Sequence, residues 1–232
     1  MEEFVTPPFK EAVNDYLFLK SKEYPEKAAI KLVGDRYRLT GIQRMILFRG
    51  IASPGTATGR QSKITGDITG KKLYVDGYNV LFTIMNYLLG KVIFKAFDGI
   101  LRDAGAGYGK IEKEGFLYKA MDILFQWPGS SEAESMTIYL DRSISNSDAH
   151  AKELERRMNR AHISGQVIPV QFADKELKQK RDAVIATSDS EIIDAVPCRI
   201  LDAARHALES KYGDRIKILD LKYLIKDPAD LL

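Results

Sequence analysis

The chain has 232 residues, 45% of them hydrophobic, and a formal net charge of +3. That length accommodates one large domain, or a domain with a small accessory unit, and the apolar content suffices for a sizeable core. A single cysteine, Cys198, excludes an internal disulfide, and the scattered His150, His162 and His206 form no Cys/His cluster with zinc spacing.

The start, Met-Glu-Glu-Phe-Val-Thr-Pro-Pro, lacks the basic and apolar regions of a signal peptide, and no apolar run approaches the ~20 residues that span a bilayer. A soluble cytoplasmic protein with no membrane partner is expected. The charge is unevenly divided. Residues 1 to 70 carry 11 positive against 8 negative side chains, whereas residues 71 to 232 carry 24 of each. Between Lys31 and Lys63, Arg36, Arg38, Arg44, Arg49 and Arg60 are opposed by Asp35 alone, a basic field suited to phosphate or a solvated face.

Residues 11 to 52 read as a helical unit. Val13, Tyr16 and Leu17 share one helical face, and Pro25 suits the first turn of a second helix carrying Ala28, Ala29, Leu32 and Val33, which Gly34 would end. Thr40 with Gln43 forms a capping-box pattern ahead of a third helix, apolar around most of its circumference. Residues 53 to 70, rich in Gly, Ser and Thr, show no periodicity and read as a linker. The organisation expected is therefore a helical unit over 1–52, a linker over 53–70 and an α/β domain over 71–232.

That domain opens with Leu73-Tyr-Val-Asp-Gly-Tyr-Asn-Val-Leu-Phe82, an apolar run interrupted by Asp76, Gly77 and Asn79 where a buried parallel strand would end. Thr83 to Phe97 then has a helical tendency, Asp98 to Lys113 is a glycine-rich, charged loop, and Tyr118 to Trp127 is a short helix stopped by Pro128-Gly129. Met136-Thr-Ile-Tyr-Leu140 ends in Asp141 and leads through Arg142 into a helix with Ala151, Leu154 and Met158 on one face. Gln166 to Phe172 is a further strand, placed at an edge by Pro169. Ala183-Val-Ile-Ala-Thr187 runs into Ser188 and Asp189, where Ser188-x-x-Glu191 has capping-box spacing. Residues 198 to 201 read as a strand or a helix start, and Arg215 to Leu221 as a last strand. Strands alternating with helices imply a mostly parallel sheet with right-handed crossovers.

Three apolar strands thus each end in a carboxylate: Asp76, Asp141 and Asp189. In an open α/β sheet, ligands bind in the crevice outside the carboxyl ends of the strands. A lone acid there often caps a helix or shapes a turn. Three gathered at one edge repel one another unless a proton or cation intervenes, and Mg2+ or Mn2+ is suited to such oxygen donors. Asp98, Asp103, Asp174 and Asp182 are further candidates. Asn79 and Ser188 stand beside the acids and could position a phosphate, while Arg102 and Arg142 could each fork onto one or form structural ion pairs. Gly105, Gly107 and Gly109 follow no strand and form no nucleotide-binding fingerprint.

Val75-Asp-Gly-Tyr-Asn-Val80 together with Ala186-Thr-Ser-Asp-Ser190 resembles the PIN and NYN group of metal-dependent ribonuclease-like domains. The resemblance covers residues 71 to about 220. It implies an α/β/α sandwich around a parallel sheet, with Asp76 and Asp189 as magnesium- or manganese-binding acids and Asp141 at an acid position used in part of the group. The glutamate that such nucleases often carry on an early helix has no match; Asp98 and Asp103 stand in a loop instead. With Lys31-Leu-Val-Gly-Asp-Arg-Tyr-Arg-Leu39 and Gln43-Arg44, the whole chain resembles an uncharacterised, mainly archaeal family that adds a small helical N-terminal unit to such a domain.

The expectation is a nuclease acting on RNA by a metal-activated water held by Asp76, Asp141 and Asp189, with Arg36, Arg38, Arg44 and Arg49 holding the nucleic-acid backbone. A catalytically inactive RNA- or partner-binding module is the alternative, motivated by the missing glutamate. Hydrolysis of a small phosphoester would use the same acids, and a homo-oligomer is left open.

Overall fold

In the computed structural model, residues 4–105, 111 and 113–226 are described. The elements follow in the order α1 (Pro7–Ser21), α2 (Glu26–Arg36), α3 (Gly41–Gly50), α4 (Pro54–Lys63), β1 (Lys72–Asp76), α5 (Gly77–Leu88), β2 (Ile93–Lys95) and β3 (Leu101–Asp103). After these come α6 (Glu114–Gln126), β4 (Ser135–Asp141), α7 (Ser147–Arg160), β5 (Gly165–Val170), α8 (Ala173–Lys178), β6 (Val184–Ala186), α9 (Ser190–Ala195), β7 (Arg199–Leu201), α10 (Ala203–Tyr212) and β8 (Leu219–Asp220). None of the described helices is long and apolar enough to cross a membrane.

The chain forms two compact units, one of Met1–Ser62, Gly90–Ala106 and Lys217–Leu232, the other of Lys63–Leu89 and Gly107–Ile216. In the first unit, α3 begins as the sequence predicts, whereas α1 starts at Pro7, ahead of the expected residue 11, and α2 starts at Glu26 with Pro25 as its N-cap rather than in its first turn. Thr6 caps α1, and Thr40 and Gln43 complete the expected capping box at the start of α3. Gly34 does not end α2, which runs on to Arg36; its missing side chain instead admits the Arg44 guanidinium, which an added Cβ would meet at 2.1 Å.

This unit also holds a three-stranded sheet in the order β3-β2-β8, with β2 antiparallel to β3 and parallel to β8. Local sequence pattern misses it twice. The helical tendency over Thr83 to Phe97 stops at Leu88, because Gly90 turns the chain at φ +71 and Ile93 and Phe94 then enter a strand. The expected last strand shortens to Leu219–Asp220 and pairs with β2 rather than joining the larger sheet. Phe94, Ala96 and Leu221 share a core with Phe9, Tyr16, Ile46 and Leu47, so burial of apolar side chains explains the recruitment of these segments. Gly50 permits the close approach, since a Cβ there would lie 2.3 Å from Leu221 Cδ1 and 2.9 Å from Phe94 Cε2. The stretch expected as a linker contains α4, which Ser53 opens by accepting the N–H of Thr56 on its hydroxyl. Residues 106–110 and 112 of the expected glycine-rich loop, among them Gly107 and Gly109, lie outside the described residues.

The second unit is an α/β/α sandwich. Its five strands are all parallel and run in the order β5-β4-β1-β6-β7. Within the unit this is a 3-2-1-4-5 order, in which the chain moves outward from β1 through β4 to β5 and then returns to the other side of β1. Its topological switch point lies between β1 and β6. Helices α5, α6, α7 and α10 pack against one another as one layer, while α8 and α9 pack together, α8 against β1 and β4. Pro169 sits on the edge strand β5, where an absent N–H leaves no ladder bond unmade.

Candidate functional site

Asp76 ends β1 and immediately precedes α5, so strand and helix meet with no intervening loop. Gly77 makes this turn sterically feasible. A Cβ there would lie 2.5 Å from Leu140 Cδ2 and 2.7 Å from the Tyr139 carbonyl oxygen on the neighbouring β4. Asp141 ends β4, and Asp189 follows β6 and caps α9. Because β4, β1 and β6 are neighbours, the three acids lie along one carboxyl-end edge, with Asp76 and Asp189 flanking the switch point where such sheets bind ligands.

Register and pleat relate the acids to their neighbours. Asp76 pairs with Tyr139, and side chains two residues apart share a sheet face, so Tyr74, Asp76, Tyr139 and Asp141 lie on the same side. The rings of Tyr74 and Tyr139 are stacked 6.2 Å apart, with the Lys180 ammonium 5.0 and 5.1 Å from their centroids.

A chain of hydrogen bonds ties the edge together. The Asp189 N–H donates to Thr187 Oγ1 at 3.1 Å, and that hydroxyl donates to Asp76 Oδ2 at 2.9 Å. Asn79 Oδ1 accepts both the N–H and the hydroxyl of Ser188, at 2.8 and 3.0 Å, so the start of α5 is stitched to the end of β6. Asp141 Oδ1 accepts the Ala173 N–H at 2.9 Å, which joins the edge to the start of α8.

Asp76 is 7% exposed, and its carboxyl is pushed up to about 7. Burial is the main cause. The Thr187 hydrogen bond pulls the other way, and the charges of Asp189 and then Asp141 raise it further. Asp189 and Asp141 therefore act on Asp76 electrostatically, and at neutral pH Asp76 is poised between its two protonation states. A hard divalent cation would relieve that repulsion, and carboxylate oxygens are donors suited to it. Even so, among the described residues no three His, Cys, Asp or Glu side chains stand together as a ready-made metal cage.

The other predicted site residues divide by surroundings. Arg142 is exposed, with its Nε donating to the Pro169 carbonyl at 3.3 Å and Nη2 3.7 Å from Asp148. Asp174 lies in the first turn of α8, 3.4 Å from Lys178 Nζ. Asp182 is exposed in the turn before β6, at φ +50, and so stands at the strand end opposite Asp189. That placement removes it from the acid edge.

Asp98, Asp103 and Arg102 belong to the first unit and are structural there. Arg102, 2% exposed, donates both Nη groups to the Asp98 carboxylate at 2.8 Å, and Arg60 adds a third bond at 3.2 Å. Burial alone would push the Asp98 carboxyl up, but the Arg102 charge and its hydrogen bonds hold it below the usual range. Asp103 accepts the Gly105 N–H and stands 3.5 Å from Arg49, which also donates to the Asp103 carbonyl. In the basic field, Arg44 reaches Asp35 and the Leu39 carbonyl, whereas Arg36 and Arg38 are exposed, with Arg36 3.7 Å from Asp15.

Two groups near the edge escape sequence reasoning. Thr187 reads in the sequence only as the end of a strand, and its role depends on pairing across 111 residues that no local pattern encodes. Tyr78, two residues beyond Asp76, has its hydroxyl 2.9 Å from Nδ1 of the buried His150. Burial, then the charges of Asp141 and Asp148, hold the Tyr78 hydroxyl above its ordinary range.

Comparison with known proteins gives two consecutive family matches, the second of which in chain order runs through the Gly90–Ala106 segment of the first unit. Residues 65–206 match the family described as Domain of unknown function (DUF5616), and residues 8–63 match Protein of unknown function (DUF434), which fits the helical N-terminal region. The Uncharacterized protein MJ0935 of Methanocaldococcus jannaschii is 32% identical over 203 residues, covering 86% of this chain and 96% of that protein. No solved structure gives a significant match.

Proposed function

The chain belongs to the DUF5616 family, and from its carboxyl-end acid edge we propose that it is a divalent-metal-dependent nuclease of PIN/NYN-like type acting on RNA. The observation that carries this reading is the convergence of Asp141, Asp76 and Asp189 on the ends of three adjacent parallel strands, with the Asp76 carboxyl raised by burial and by its two acidic neighbours.

Asp76, Asp141 and Asp189 are the residues that would hold Mg2+ or Mn2+. When bound at such a site, a divalent ion supplies a Lewis acid that offsets charge on a phosphate and acidifies water. The remaining roles fall to the chain. Thr187 fixes one Asp76 oxygen, so the carboxylate presents the other in a set direction. The Asn79–Ser188 link keeps the start of α5 against the end of β6. Arg142, exposed one residue beyond Asp141, is placed to meet a phosphate that the acids alone would repel.

The test is cleavage of single-stranded and structured RNA by purified protein with magnesium or manganese, beside a PIN nuclease control. Cleavage that disappears in Asp76→Asn with the fold retained is the expected result. Absence of cleavage with both metals, while the control cuts, would overturn the reading.

A second reading, an inactive PIN-like module that binds RNA or a protein partner, is favoured by the lack of a ready-made trio of metal ligands among the described residues. The two separate on metal occupancy, since the inactive module has no divalent-ion site at these carboxylates.

A further inference from the structure

Phe172 is the only large hydrophobic side chain of the second unit, among the described residues, that stands well exposed, at 45%. A singly exposed ring is ordinary on a protein surface, so what matters is what stands beside it. It follows the end of β5 and is the residue just before α8, whose first N–H, that of Ala173, is held by the Asp141 carboxylate at 2.9 Å. The ring is therefore carried on a backbone that the acid edge itself fixes. Its backbone is extended there, at φ −144 and ψ 103.

One cation lies over it, and a second is bonded to the strand that leads to it. Lys175 Nζ lies 4.2 Å from the ring centroid, and Arg142 is exposed and bonded through Nε to the Pro169 carbonyl on the same edge strand. An exposed ring combined with long basic side chains, set beside acids suited to a divalent ion, matches the needs of a single-stranded polynucleotide: a face for a base and counter-charges for its phosphates. A small phosphoester without a base has no use for the ring. A duplex keeps its bases stacked on each other.

We propose that Phe172 is a stacking platform for one base of a single-stranded nucleic acid, with Lys175 and Arg142 meeting the flanking phosphates so that the backbone is led to the Asp141 end of the acid edge. This rests on the reading of that edge as a nuclease site, and it narrows the substrate to single strands.

The experiment measures binding of a fluorescent single-stranded oligouridylate, and of an abasic oligomer of equal length, by fluorescence anisotropy with calcium in place of magnesium. Wild type, Phe172→Ala and Phe172→Trp are compared, with circular dichroism confirming that each is folded. Affinity of Phe172→Ala for oligouridylate should fall roughly 5- to 150-fold, the range expected for loss of one base–aromatic stack. Its affinity for the abasic oligomer should not change. Phe172→Trp should retain binding and show indole fluorescence quenched by the oligouridylate but not by the abasic oligomer, above the background of Trp127.

Equal oligouridylate affinity in wild type and Phe172→Ala would overturn the platform while leaving the nuclease reading intact if wild type still cuts RNA. Binding that depends on Phe172 in a protein that cuts no RNA would uphold the platform and sink the nuclease reading. No single-strand binding by wild type would also overturn the platform.

Discussion

Asp76 is an acid whose folded environment disfavours its charge, and that has a measurable consequence. Its carboxyl is raised from the ordinary 3.8 to about 7, so in the unfolded chain the proton leaves first as pH rises. The stability this group contributes is fully present below about pH 4 and is lost progressively until pH passes about 7. Asp76→Asn keeps a Thr187 acceptor and cannot ionise. Urea unfolding across pH should therefore show a flatter profile for the variant and greater stability than wild type at about pH 8, with a ceiling of roughly 4 kcal/mol. A variant less stable than wild type at that pH would mean that the charged carboxylate is accommodated without cost. Gly77 makes the opposite prediction. In Gly77→Ala the new methyl meets the Tyr139 backbone, which cannot rotate away, so a loss of about 1–3 kcal/mol is expected. At this scale the acids are legible in the sequence because each follows a strong apolar run. Thr187, Tyr78 and Phe172 are not, since a hydroxyl at a strand end and an aromatic after a strand take on meaning only once their neighbours across the sheet are known.

Among the elements, the central strands are readable and the small sheet of the first unit is not. Strands β1, β4 and β6 are buried on both faces and appear as continuous apolar runs bounded by polar residues. Strands β2, β3 and β8 have two or three residues each; β2 and β3 pair as sequence neighbours, whereas β8 joins β2 from the far end of the chain, Leu219 opposite Phe94. The expected helical character of β2 and loop character of β3 follow local pattern, and tertiary burial overrides it, while β8 is a strand as expected but shorter and in the smaller sheet. The same limit applies to α9. Ser188 and Glu191 have capping-box spacing, but Asp189 is the cap because the Ser188 hydroxyl is committed to Asn79. Arg102 on β3 is the buried arginine of the small sheet, and its bidentate pairing with Asp98 should be expensive to break. Asp98→Asn leaves a buried guanidinium poorly compensated and should cost about 3–5 kcal/mol in denaturant unfolding. A cost below about 1 kcal/mol would mean that the other partners of Arg102 suffice to hold it.

For the whole molecule, the sequence divides charge between a basic N-terminal stretch and a neutral remainder, and the structure qualifies how that basic field is used. Arg44 and Arg49 are engaged with Asp35 and Asp103 within their own unit, whereas Arg36 and Arg38 extend into solvent. If the latter two hold a nucleic-acid backbone, Arg36→Ala combined with Arg38→Ala should weaken RNA binding about equally for all sequences. It should also reduce the slope of log affinity against log salt by about 0.7 for each phosphate no longer neutralised. An unchanged slope with a lowered melting temperature would assign both arginines to packing within the unit.

If the acid edge of the parallel sheet holds a divalent metal, calorimetric titration of manganese at about pH 8, above the range in which Asp76 holds its proton, should reveal the site. Saturable binding at one site in wild type, abolished or greatly weakened in Asp76→Asn, is the expected result. No binding to wild type, or equal binding to both proteins, would contradict it.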